Sequence, residues 1–150
     1  MAQRIVFRNE KGLTLVEVLI SLVVLLIVFL ALMQTALVAI DSNMRNVLRD
    51  EAINAAEMRV EEARNLVFTV STDTLVSDAA PIAGCPAGFP ANGLLVEREV
   101  RNIPSFDFCT NRTVTSIDAE NRRVNIRVDW SWKGESFTHT ISTIIRRQSG

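Results

Sequence analysis

Residues 11–40 read KGLTLVEVLISLVVLLIVFLALMQTALVAI, and the 23 residues from 18 to 40 contain no charge. As a helix that apolar run is ~35 Å long, enough for a hydrocarbon core of ~30 Å. A core helix of a soluble domain is rarely this apolar on every face. Just before it, between Leu15-Val16 and Val18-Leu19, stands Glu17. A carboxylate in such a setting costs roughly 2.5–3.5 kcal/mol at the centre of a span and so requires a partner. Nothing else in the chain is as far out of place.

The remaining bulk features follow from that segment. The 48% apolar content of the 150 residues is high for a soluble protein, and the excess sits in the run. The net charge is −1, and removing residues 1–12 leaves 13 basic and 16 acidic residues, a net charge of −3. Neither balance describes a nucleic-acid surface, so no nucleic-acid partner is expected. Arg4, Arg8 and Lys11 precede the run. By the positive-inside tendency they place the N-terminus in the cytoplasm and residues 41–150 outside the inner membrane, where disulfides persist. A secretory signal cut near Ala36 or Ala39 is one alternative, but such apolar regions are typically ~7–15 residues long. A plain uncleaved anchor is the other.

After Leu13 no Gly or Pro occurs until Pro81, which predicts one helix from about residue 13 to about residue 66. Its second half is amphipathic. Met44, Leu48, Ala52, Ala55, Ala56, Ala63 and Val67 recur at three- and four-residue steps, with charges on the other faces. Asp41/Arg45, Arg59/Glu62 and Glu61/Arg64 have the spacing of local ion pairs, worth a few tenths of a kcal/mol each. Residues 69–93 are rich in Ser, Thr, Asp, Ala, Pro and Gly and read as a loop. Strands are expected from Leu94, over 113–117, over 123–133 and over 136–146, with turns at 118–121 and 133–135. The third is the clearest, because Val124, Ile126, Val128, Trp130 and Trp132 alternate with polar residues. The fold class is therefore α+β: a long N-terminal helix, apolar then amphipathic, packed on a small antiparallel sheet of three or four strands. The parts are a leader (1–12), a membrane-spanning half-helix (13–40), an amphipathic half-helix (41–68) and a sheet-bearing head (69–150).

The head is small and its core thin. Cys85 and Cys109 enclose 23 residues, and joining them contributes roughly 3–3.5 kcal/mol by chain entropy. A structural disulfide is the expectation, with two free thiols or half of a metal site as the alternatives. His139 reads as an ordinary strand residue. Asp118 and Glu120 lack the rest of a calcium-loop pattern, and Asn111-Arg112-Thr113 matters only where glycosylation machinery exists. Trp130 and Trp132 read as core or interface aromatics. No nucleophile pattern, metal spacing or phosphate loop occurs, so neither enzymatic activity, nor a cofactor, nor a metal is expected.

The junction Lys11-Gly12-Leu13-Thr14-Leu15-Val16-Glu17 resembles the cleavage and assembly signature of type IV pilins and type II secretion pseudopilins. The glycine, the lysine before it, the threonine second after the cut and the glutamate fifth after it all match; Leu13 replaces the usual phenylalanine. The resemblance extends over the long spine and small sheet that follow. It implies a prepilin peptidase cutting between Gly12 and Leu13 and methylating the new terminus at Leu13. It gives Glu17 a role in filament assembly, opposite a neighbour's new amine. It implies as partners the peptidase, a major pilin and other minor pilins through the N-terminal helix, an inner-membrane assembly platform, and the lipid bilayer before assembly. After assembly the chain would lie in a periplasmic or cell-surface filament. Segments 12–25 (GLTLVEVLISLVVL), 55–66 (AAEMRVEEARNL) and 123–132 (RVNIRVDWSW) look most like PilV-type minor pilins, which are thought to prime or cap a filament. The I subunit of type II secretion pseudopili is the close competitor, and a membrane-tethered binding module is a third reading.

Overall fold

One helix, α1 (Leu15–Arg64), takes up the first part of the chain, uninterrupted because no Gly or Pro falls within it. The computed structural model describes residues 14–148. The chain divides between Ser42 and Asn43 into two compact units. In the first, every described residue up to Ile40 is exposed, including each Leu, Val and Ile of the apolar run. The second unit contains the rest of α1 and a four-stranded antiparallel sheet in the order β1-β2-β3-β4. Its strands are β1 (Leu94–Val100), β2 (Ile103–Ser116), β3 (Asn121–Trp132) and β4 (Glu135–Arg146).

In this unit the helix presents small side chains and the sheet presents large ones. Ala52, Ala55, Ala56 and Ala63 are fully buried on α1, beside Leu48 and Val60. They belong to one cluster with Phe108, Val124, Ile126, Val128 and Trp130 of the sheet. The alanines leave room on the helix face for the large strand side chains, which supply the apolar area, about 1.5–3 kcal/mol for each fully buried large side chain. Phe108 lies 6.0 Å from Trp130, which stacks on Phe137 at 5.6 Å. Trp130 is buried and Trp132 half-buried. Beyond the helix end Phe68 and Leu75 close the far end of the core, with Arg122 and Arg147 over the Phe68 ring at 4.5 and 5.2 Å.

Two expectations are corrected. The second strand begins at Ile103 and not at residue 113, ten residues earlier. Its inward positions after Phe106 and Phe108 are Thr110 and Arg112, both buried, so the alternation in apolarity fails although the strand continues. The helix stops at Arg64, short of residue 66, as a tightened last turn in which Leu66 N–H donates to Ala63 O at 3.3 Å; Val67 is consequently outside the stripe and exposed. The expected Arg59–Glu62 pair is present, but Arg59 itself is buried. It is 3% exposed and bonds both Glu62 and Asp78, the latter at 2.5 Å. Asp78 also takes Arg112 Nη2 at 3.2 Å and the Arg112 backbone N–H at 2.8 Å, which ties helix, loop and sheet together.

The loop of residues 79–93 is held against the sheet by a disulfide, by the Asn111 side-chain amide on Asn92 O and by a close approach at Gly93. Cys85 and Cys109 form a disulfide with Cα atoms 6.0 Å apart. Gly93, with φ +144°, passes so close to β2 that an added Cβ would lie 1.9 Å from the Thr110 carbonyl oxygen; only glycine fits there. Asp129, fully buried and facing Cys109 across the β2–β3 register, accepts hydrogen bonds from Arg127 Nη2 (2.9 Å) and Thr138 Oγ1 (2.5 Å).

Candidate functional site

The start of α1 is built by its own residues. Thr14 precedes the helix, and its Oγ1 accepts the backbone N–H of Glu17 at 3.2 Å while its carbonyl accepts Val18 N–H at 3.2 Å. Thr14-Leu15-Val16-Glu17 is thus the S/T-x-x-E pattern of a helix N-terminus, with Thr14 as the cap. That signal is present in the sequence, where the same two residues mark the helix start as well as the cleavage junction. The cap fixes where the helix begins, and so puts Glu17 in its first turn, where a carboxylate is favoured by the helix dipole.

Around Glu17 the surface is apolar. Leu15 is 76% exposed, and an 18-residue window of this helix has a mean hydropathy of 3.2 with none of it buried. The few hydroxyls hide their polarity on the helix itself. Ser21 Oγ donates to Glu17 O at 2.8 Å, and Thr35 Oγ1 donates to Leu32 O at 2.8 Å. Such back-bonds satisfy a hydroxyl where no water is available. Glu17 is different, because among the described residues no side chain bonds its carboxylate. Gly12 and Leu13, at the expected cut, and the leader charges Arg4, Arg8 and Lys11 lie outside the described residues.

The other residues singled out in the sequence are elsewhere and do not converge with Glu17. Cys85 and Cys109 form the disulfide of the head. His139 is half-buried on β4 opposite Val128. Asp118 caps the β2–β3 turn, its Oδ1 accepting the Glu120 and Asn121 backbone N–H groups at 2.7 Å each. Asn111 uses its side-chain amide on Asn92 O at 2.7 Å.

Comparison with known proteins adds one finding at the N-terminus. Residues 7–33 match the prokaryotic N-terminal methylation motif. Motif and architecture together match the general type IV pilin and pseudopilin fold. No curated protein and no solved structure matches the chain. The methylation motif implies processing by a prepilin-peptidase-type system. The helix that carries it is long and apolar enough to cross a membrane once, near the N-terminus.

Proposed function

We propose that this chain is a minor structural subunit of a type IV pilus, without enzymatic activity. It is cut between Gly12 and Leu13, methylated at Leu13, and helps to initiate or cap filament assembly. The observation that carries this reading is Glu17, a carboxylate without a partner among the described residues, one turn into an unburied apolar helix. Cutting at Gly12 creates an amine that stays cationic after methylation. Before assembly the helix spans the inner membrane with that amine on the cytoplasmic side, where both charges are poorly solvated. Between neighbouring subunits the amine of one and Glu17 of the next neutralise each other inside an apolar bundle, which favours assembly and sets the axial register. A prolineless, uninterrupted α1 supports a minor subunit, since major pilins tend to carry a proline in the apolar half.

Glu17→Val tests the reading. The variant inserts and is cleaved normally, and its recovery in sheared filaments falls about tenfold or more, the effect of leaving one buried charge unmatched. Normal recovery would refute the role of Glu17. Recovery of the wild-type chain only with a secretion pseudopilus would move it to a minor pseudopilin of a type II secretion or competence system.

A further inference from the structure

The two edges of the sheet are not alike. Edge strand β1 carries Glu97, Arg98 and Glu99 and a register irregularity between Arg98 and Val100, devices that discourage pairing with another strand. Edge strand β4 carries charges only at its two ends, Glu135 and Arg146. It pairs with β3 in unbroken register over its 12 residues, and residues 136–145 contain no Asp, Glu, Lys, Arg or Pro. On its outward face Ile144 is 60% exposed.

The layer beneath is incompletely covered at both edges: on β1 the helix-facing Leu94 is 45% exposed, and on β4 Ile145 alone is buried. On β3 the helix-facing Val124, Ile126 and Val128 are 0% exposed, and on β1 Val96 and Val100 are buried. On β4 the helix-facing Phe137, His139, Ile141 and Thr143 are only half-buried. Two grooves follow this open side between α1 and β4. One, of about 320 Å³, is lined by Arg45, Arg49, Phe137 and His139; Arg45 is paired with Glu135 at 2.9 Å, which leaves Arg49 as the cation facing a partner. The other, of about 380 Å³, is lined by Glu57, Glu61, Arg64 and Thr143; Glu61 is paired with Arg64 at 2.5 Å, which leaves Glu57 as the anion facing a partner.

We propose that β4 receives an added antiparallel strand from a different protein subunit, with a basic side chain meeting Glu57 in one groove and an acidic one meeting Arg49 in the other. Spacing and direction are both set by the head. Arg49 and Glu57 are separated by ~12 Å of helix rise, and His139 and Thr143 by ~13 Å of strand. The two charged side chains of the added strand therefore stand four residues apart, on its helix-facing side. β4 runs from the basic groove to the acidic one, so an antiparallel strand brings its basic residue first, opposite Thr143. An apolar residue then faces Ile141, and the acidic residue faces His139. Main-chain bonds supply affinity, and the two charges supply direction and choice of partner. In the register that would set Leu94, Val96 and Arg98 of a second copy's β1 opposite Thr143, Ile141 and His139, Arg98 has the wrong charge for the basic groove.

The test uses the full chain in detergent micelles and a labelled synthetic peptide, Val-Thr-Lys-Thr-Ile-Thr-Glu-Thr-Val, with a control in which Lys and Glu are exchanged. Fluorescence anisotropy reads binding, and amide hydrogen exchange reads where it occurs. The first peptide is expected to bind about fivefold or more tighter than the control, the effect of surface ion pairs, and to slow exchange in β4 but not β1. Arg49→Glu combined with Glu57→Lys should reverse the preference while leaving the circular dichroism unchanged. Equal binding of both peptides, no binding of either, protection outside β4, or a preference unmoved by the double charge reversal would overturn the proposal. So would self-association of the chain through β4 that the peptide disrupts, which makes a second copy the occupant.

Discussion

Asp78 lies between two guanidinium groups, those of Arg59 and Arg112, in a part of the head where all three side chains are at most 10% exposed. Buried pairs of this kind add little net stability over apolar residues, but breaking one leaves an unmatched charge in low dielectric. Asp78→Ala is therefore expected to destabilise the head by ~3–5 kcal/mol in urea unfolding of the full chain. The triple variant Arg59→Met, Asp78→Leu, Arg112→Met should lose much less. Equal losses in the two would show that the charges carry no such cost. This cluster was not legible in the sequence. Arg59 has Glu62 at the spacing of an ordinary surface pair, and Asp78 stands 19 residues away in a loop with no periodic pattern. Glu17 was legible for the opposite reason, because a charge beside 23 uncharged residues needs no partner in view to be noticed.

Among the elements, α1 and β3 were readable because one period dominates each and no breaker intervenes. The first ten residues of β2 were not, since Pro104 stands near their start and Thr110 and Arg112 occupy inward positions that a pattern of apolarity assigns to solvent. The β2–β3 turn was placed correctly by its polar composition, and its chemistry is now visible. The Asn121 side-chain amide, then the Glu120 backbone N–H, hold the Asp118 carboxyl below its ordinary value of 3.8. A carboxyl lowered in the folded state contributes stability that is complete above its unfolded value and is lost as the pH falls through the folded one. The carbon-13 titration of Asp118 should have its midpoint below 3.8, and Asp118→Ala should flatten the acid side of the stability profile in that range; a midpoint at or above 3.8 would contradict it. The disulfide acts on the loop of residues 79–93, which has little regular structure of its own. Reduction of Cys85–Cys109 should lower unfolding stability by ~3 kcal/mol, read as a shift in the urea midpoint on adding a thiol. No shift would mean that the unfolded chain is not constrained by that link.

At the scale of the molecule, two levels of description meet at the same residues. The methylation motif covers residues 7–33, and the structure shows within them a capped helix start, an unburied apolar surface and one acid in the first turn. The remainder is a small head whose core is completed by the amphipathic half of the same helix. The architecture was legible because a helix that changes from wholly apolar to amphipathic can bury its stripe only on the strands that follow. The unguarded edge at β4 was not, since which strand lies outermost depends on pairing order, and the composition of one strand does not reveal it.

The central claim is that function begins when an amine appears four residues ahead of that acid. Mass spectrometry of the N-terminal peptide of the native protein, recovered from cells in which it is active, measures this directly. The account predicts a chain beginning at Leu13 and carrying one added methyl group. A working protein that retains Met1, or any of residues 2–12, would contradict it.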